Sequence, residues 1–563
     1  MIKQVWTFAA ALLLASTSMA APSSSSSSSS STKPRVIVKG GVVYAPDQKR
    51  GADTVVIEDG VIVAVGKGFA LPARADDVVV DAKGGLIVPG FHDSHIHMQG
   101  GGLSLVRAQL AGPKTLADLQ KVVKDYAAAH PDRPWILGRG WSYGIVPTGT
   151  MPTAAMLDAV VKDRPVFIRA YDGHTGWANS KALELAGITK ATKDPADGEV
   201  VRDKKGNPTG ALKEGAQDLM DSALPKPSRE EKKAALLAAA HHCKALGLTA
   251  VNDIFYDEDT FELWTELEDE GVLPIRIEVS PPLEPTTGNL DAYAAWRDKL
   301  RGRRLVHFGF LKGFLDGVIE SKTAYMTAPY EGTKEEVGRP LIPPDKFFAL
   351  VDQAHARGFQ VGVHAIGDAA VRMSLDAFAA AQKAHPDVGV RHRIEHIELV
   401  NNADVPRFNE LDVIASMQPY HANPFGNEPE KGPWSENIGK GRWPMTMAWK
   451  TLLTAGAPLT FGSDWPVFTA SPLHGLALAI TRRDDKGDPK AGWNAHQAVS
   501  VKDAMHAYAV ERGDLDGPAE QIGRLAVGQV GDVVVLDPSV RLDQPATLWT
   551  GTVTAVVVDG VVR

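Results

Sequence analysis

The chain has 563 residues, 44% of them apolar and 23% charged, with a formal net charge of −8. That length supports a large core and more than one domain, and the proportions are those of an ordinary globular protein. No basic block and no aromatic–basic stripe occurs, which excludes nucleic acid as a partner.

The elements are taken in chain order. Lys3, the apolar run Val5 to Ala15 and the small residues Ser18 and Ala20 read as a secretory signal over residues 1–20. Its apolar run is too short to span a bilayer comfortably. The processed protein is therefore expected to be exported, periplasmic or secreted, with no integral membrane span. Residues 21–34 contain an unbroken serine run, Ser23 to Ser31, and read as a disordered linker that can bury nothing. Residues 35–88 carry short β-branched runs, Val36-Ile37-Val38 and Val61-Ile62-Val63, separated by glycines. Residues 506–563, after a last helix, end in similar runs, including Val533-Val534-Val535 and Val553 to Val558. The two pieces are expected to meet in one small β-sandwich domain.

Between them strand-like and helix-like stretches alternate. Candidate strands fall at 86–92, 248–254, 274–280, 305–314, 359–364, 391–396, 412–418 and 458–463. Eight alternating units predict an α/β fold, a (β/α)8 TIM-like barrel over residues 89–505, with its active site at the carboxyl ends of the strands. A doubly wound sheet is the alternative. Residues about 100–240 are too many for a simple crossover. They predict an insertion subdomain after the first strand, over the barrel mouth.

The strand ends carry the chemistry. Phe91-His92-Asp93-Ser94-His95-Ile96-His97 follows a Pro89-Gly90 break. Side chains alternate faces along a strand, so His95 and His97 can point the same way and grip a divalent metal with positions left open. Lys312 lies in an apolar fourth strand, where a charged, unpaired amine is costly. The fifth strand ends in His364, with Gly362 leaving room beside it, the sixth in His396, and the eighth in Asp464 before Pro466. Each alone can be structural. Four histidines and an aspartate at the ends of four strands form a ligand set. The single cysteine, Cys243, excludes an internal disulfide and removes thiolate metal chemistry.

These motifs resemble the amidohydrolase superfamily, in particular its amidohydrolase-3, or YtcJ-like, branch, which includes N-substituted formamide deformylase-type proteins. The resemblance spans nearly the whole mature chain. It is carried by P-G-F-H-D-S-H-I-H (89–97), D-G-H-T-G-W-A-N-S-K-A-L (172–183), K-G-F-L-D-G (312–317) and H-A-I-G-D-A-A (364–370). R-H-R-I-E-H (391–396), S-M-Q-P (416–419), F-G-S-D-W-P-V (461–467) and the tail G-R-L-A-V-G-Q-V-G-D-V-V-V-L-D (523–537) complete it. Two departures stand out: His92, where many relatives carry Ile or Val, and Val318-Ile319-Glu320, where many have a Ser-rich turn.

The resemblance implies that His95 and His97 hold one metal, and His364 and His396 a second if two are bound. It implies that Lys312 is an N6-carboxylated bridge, and that Asp464 binds metal and moves protons. His174 would contact substrate or an oxyanion. The implied cofactor is a divalent metal, one or two ions, with zinc suited to the donors and manganese, iron or cobalt not excluded. The implied reaction is hydrolysis of a non-peptide carbon–nitrogen bond, such as that of an N-substituted formamide or N-acyl amine, by metal-activated water. The alternatives are an esterase, lactonase or cyclic-amide hydrolase on the same scaffold, or a non-catalytic binding protein. The partner is a small-molecule substrate, self-association into a homo-oligomer being left open. Trp177 and Trp465, with Trp141, Tyr143 and Phe314, are candidates for an aromatic substrate pocket.

Overall fold

The computed structural model describes residues 33–45, 51–69, 72–110, 112–147, 150–170, 175–195, 198–220, 222–254, 259–283, 290–320, 322–422, 433–508 and 523–563. The signal segment, the serine run and His174 lie outside them.

Both ends of the chain build one β-domain. Strand Val36–Lys39 pairs antiparallel with Thr54–Glu58 and parallel with Val78–Asp81. In a second sheet, Leu86–Pro89 pairs antiparallel with Val533–Leu536, which pairs with Val553–Val558. Period-two alternation explains how this works. Val533 and Val535 turn into a core with Val36, Val38, Val55, Ile57 and Ile87. Val534 and Leu536, on the opposite face, join the main core of the barrel.

Eight parallel strand positions form the barrel. Phe91–Ile96, Leu248–Ile254, Arg276–Ser280 and Val306–Phe308 are in register side by side. Leu311–Phe314, Val361–Ala365, Arg393–His396, Ile414–Met417 and Leu459–Phe461 continue it. The fourth position is thus a broken strand, Val306–Phe308 and Leu311–Phe314. Lys312 N donates to Pro281 O at 2.8 Å, and Asp464 N donates to His95 O at 2.8 Å, so both seams between the two runs are bonded and the ring closes. The first expected strand needs correction: 86–89 belongs to the β-domain, and the barrel strand begins after Gly90. Gly90 marks the crossing because a Cβ there would meet the Thr249 side chain at 2.1 Å.

The insertion leaves the barrel at His97, through helix Met98–Leu105. A six-stranded sheet follows, ordered Gly198–Arg202, Pro208–Glu214, Thr175–Ala178, Val166–Ala170, Ile136–Trp141 and Ala108–Gln109. Both its faces are covered, one by a core around Leu119, Val123 and Trp141, the other by a core around Phe167, Leu183 and Leu212. Helix Arg229–Ala245 then returns to the barrel. Ser228 and Glu231 form a reciprocal cap at its start. Among the described residues no helix is long and apolar enough to cross a membrane.

Candidate metal centre

Parallel strands put their carboxyl ends on one rim, and there the predicted ligands meet. His95, His396 and Asp464 offer ligand atoms within 4.8 Å of one another. His97 Nε2 lies 3.1 Å, and His95 Nε2 3.5 Å, from Asp464 Oδ1. The ring centroids of His364 and His396 are 4.6 Å apart, and those of His95 and His396 4.7 Å. Lys312 is buried in the same neighbourhood, its ammonium 4.3 Å from the Phe314 ring centroid. Among the described residues Lys312 Nζ and His95 Nε2 have no hydrogen-bond partner.

The tautomers decide whether this set fits a cation. Each ring has one nitrogen taken by an acceptor. His95 Nδ1 donates to Glu395 Oε2 at 2.6 Å, His97 Nδ1 to the Ile254 carbonyl at 3.1 Å, and His396 Nδ1 to Gln418 Oε1 at 2.9 Å. His364 differs: its Nε2 donates to the Gly317 carbonyl at 3.2 Å, leaving Nδ1 bare. A neutral imidazole whose Nδ1 carries the proton presents a lone pair at Nε2. His95 Nε2, which has no hydrogen-bond partner, thus turns its lone pair on a carboxylate oxygen, which is repulsive unless a cation lies between them. Ligands about 2.0–2.1 Å from a tetrahedral ion stand about 3.3 Å apart, which matches the 3.1 and 3.5 Å separations. Imidazole donors backed by a carboxylate, a carbonyl and an amide are the arrangement that orients metal-bound histidines. The residues fit a divalent ion.

Burial favours the neutral form of His95, His364 and His396. It is the chief cause that pushes His95 down to about 4 and His364 to about 3, with the nearby Lys312 charge adding to it, and it also lowers His396. Burial lowers Lys312 to about 8. For Asp464, burial pushes upward but is outweighed by attraction to His95, His97 and His396 when these imidazoles carry a proton toward it, which lowers the carboxyl well below its usual range. Glu395 behaves alike: burial raises it, yet the Arg393 guanidinium and His95 bring it to about 2.

Backbone conformation marks the same spots. His396 has φ 77°, Ile397 49° and Asp464 57°, all left-handed. Non-glycine residues rarely adopt this region, and they cluster there at functional sites. Gly462 leaves space for the approach, since a Cβ would meet His95 N at 2.7 Å.

Several participants were not found in the sequence. Glu395 accepts from His95, Arg393 and Ser416 Oγ. Arg393 also donates to the Ser94 carbonyl at 2.8 Å. His421 Nε2 lies 3.6 Å from Asp464 Oδ2, its Nδ1 3.4 Å from Glu398 Oε1, and Trp434 Nε1 anchors Glu398 at 2.6 Å. The signals were adjacent: Glu395 and Glu398 flank His396, and His421 follows the S-M-Q-P run.

The aromatic expectations fare unevenly. Trp177 is a correction. It has no exposed surface, packs on Trp141 at 5.7 Å and donates to the Thr153 carbonyl, so it belongs to the core of the insertion and not to a substrate wall. Trp141 is buried in the same core, and Tyr143 donates to Thr175 Oγ1. Trp465 is nearly buried, stacked on His242 at 5.1 Å. Phe314 is at the centre, stacked on His364 at 5.2 Å. The proposed oxyanion contact, His174, lies outside the described residues.

A closed parallel barrel with imidazoles, a buried lysine and an aspartate on its carboxyl rim defines a metal-dependent hydrolase of the amidohydrolase type. The chain belongs to the amidohydrolase family, whose profile matches residues 78–563. Its relatives include the protein LONG AFTER FAR-RED 3 of Arabidopsis thaliana, 30% identical over 89% of this chain and 87% of that protein. N-substituted formamide deformylase of Arthrobacter pascens is 26% identical over 89% of this chain and 93% of that enzyme. Among solved structures, an uncharacterized metal-dependent hydrolase of Pyrococcus horikoshii OT3 superposes with TM-score 0.70 at 25% identity, covering 91% of this chain and 99% of that one.

Proposed function

We propose that this amidohydrolase cleaves a non-peptide carbon–nitrogen bond in a small N-acyl amine, an N-substituted formamide first among them. The observation that carries the reading is the convergence of His95, His97, His396 and Asp464, with the Nδ1 atoms of His95 and His97 bonded away from the site and His95 Nε2 left without a hydrogen-bond partner 3.5 Å from Asp464 Oδ1. Similarity to a formamide deformylase over 89% of the chain supports the substrate class.

His95, His97, His364, His396 and Asp464 would hold one or two divalent ions, zinc being best suited to these donors. Lys312 would join them as its N6-carboxylate, which turns a costly buried cation into an anionic oxygen donor. The bound ion supplies an acidified water and a charge that polarises the scissile carbonyl. Asp464 Oδ1 is turned to His95 and His97. Its Oδ2 is then the atom left to take the proton of the attacking water and return it to the leaving nitrogen. His421, with Glu398 3.4 Å from its Nδ1, stands 3.6 Å from that oxygen. His174 would face the developing oxyanion. The signal-like start supports export, with a mature chain beginning near Ala21, and mass spectrometry of the exported protein tests it.

The decisive experiment assays metal-loaded protein against N-substituted formamides, other N-acyl amines, lactones and esters, reading amine release for the first two. Turnover of formamides or N-acyl amines above the rest is expected. Turnover confined to lactones or esters would replace the substrate class. Metal bound at the site with no turnover of any of them would remove the catalytic reading.

A further inference from the structure

Away from the metal centre, a cleft of about 500 Å³ opens between the end of helix Met98–Leu105, strand Ile136–Trp141 and the start of helix Arg229–Ala245. That is the size of a small-molecule site. Leu103, Val106, Trp135, Leu137 and Pro227 give it apolar walls. Arg107 also lines it and is mostly withdrawn from solvent.

The charges around Arg107 do not balance. Among the described residues its guanidinium has neither an ion-pair nor a hydrogen-bond partner. Arg169 and Arg133 add like charge to its surroundings, against the one opposite charge of Glu231. Arg133 is already bonded to Glu231, whose other oxygen accepts from Ser228 N at 2.9 Å. The Tyr126 hydroxyl is committed to the Val106 carbonyl at 2.8 Å. Asp132 and Glu230 stand exposed on the rim. A half-buried guanidinium without a partner loses solvation for no return, and its planar donors match a carboxylate in bidentate fashion.

We propose that this cleft binds a small carboxylate carried on an apolar body, with Arg107 receiving the anion and Trp135, Leu137 and Leu103 the hydrocarbon. The proposal does not depend on the reaction at the metal centre, and its test reads binding and not turnover.

The test is calorimetric titration of the full metal-loaded protein with 4-phenylbutyrate, 4-phenylbutanol and 4-phenylbutylamine, none of which carries an amide or ester bond. The acid should bind, the alcohol at least about tenfold more weakly and the amine more weakly still. Arg107→Met should weaken the acid about ten- to a hundredfold, the worth of a charge-assisted hydrogen bond, with metal content unchanged. Val106→Glu, at a position already 39% exposed, sets a further carboxylate in the apolar wall beside Arg107 and should weaken the acid equally with Arg107 itself unchanged. Acid affinity unchanged in both variants would place the acid elsewhere, the metal centre included, and overturn the proposal. So would an alcohol that binds as well as the acid, or an acid that fails to bind at millimolar concentration.

Discussion

Glu395→Gln separates two roles that the structure gives one side chain. Glu395 is fully buried, accepting from His95 Nδ1 at 2.6 Å and Ser416 Oγ at 2.6 Å while it neutralises Arg393. Glutamine keeps the shape but removes the charge and one acceptor oxygen. If its oxygen faces His95, its amide hydrogens face the guanidinium; if turned over, they face the His95 N–H. Loss of the partner that orients a metal-bound imidazole lowers metal affinity about 10–100-fold. Breaking a buried ion pair from one side costs about 3–5 kcal/mol of stability, because the remaining charge stays buried. The assays are a competitive chelator titration for affinity and the denaturant midpoint for stability. Pairing Glu395→Gln with Arg393→Met decides which effect is which. The double variant has no orphaned charge and should regain most of the stability, while metal affinity stays low because His95 still lacks its carboxylate. Wild-type metal affinity in a folded Glu395→Gln variant would refute the reasoning. Recovery of both properties in the double variant would show that the affinity loss came only from a distorted fold.

Three further outcomes are expected. Lys312→Ala should lose metal and activity, with partial rescue by short carboxylic acids or high bicarbonate; full metal content and rate in that variant would show that the lysine is a bystander. Asp464→Asn, nearly isosteric, should lower kcat at least about a hundredfold with the fold intact, metal content being measured beside the rate; near wild-type kcat in metal-loaded variant would move the base elsewhere. His392 is held neutral at about 3 by burial and by its neighbour His355, its Nδ1 accepting from Val361 N and its Nε2 facing His355 Nδ1 at 2.9 Å. The unfolded chain takes up that proton near pH 6.5 and the native one does not, so this contribution is complete above about 6.5 and falls by at most about 1.4 kcal/mol per pH unit as pH drops toward 3. His392→Gln should flatten the fall in stability between pH 6.5 and 4, and an unchanged slope would show that other groups set it.

The clustering of the candidate ligands was legible because a parallel barrel converts sequence position into spatial position. Each strand ends on the same rim, so His95, His364, His396 and Asp464 needed only to terminate strands to converge. What orients them was not legible. Glu395 reaches His95 across a sequence separation of 300 residues, and Ile254 reaches His97 across 157. No local pattern distinguishes such a carboxylate from one that caps a helix. The first strand was misplaced because Leu86–Pro89 and Phe91–Ile96 form one apolar run with two destinations, and only Gly90 divides them. Trp177 misled for a related reason: it sits in a family motif, but on a strand covered on both faces.

The buried polar layer beneath the rim is better understood as a means of orientation than as a source of stability. Arg393 and Glu395 are almost fully buried, and such pairs seldom outperform apolar residues of the same volume. Arg393 nevertheless ties three strands together. It donates to Ser94 O in the first strand and Ser416 Oγ in the seventh, bonds Glu395 in its own, and lies 4.3 Å over the Phe310 ring. The same Glu395 fixes the His95 tautomer, so register, ring orientation and the direction of one lone pair all depend on a single charge pair. A hydrophobic layer could pack that space equally well, but it could not tell His95 which nitrogen to protonate.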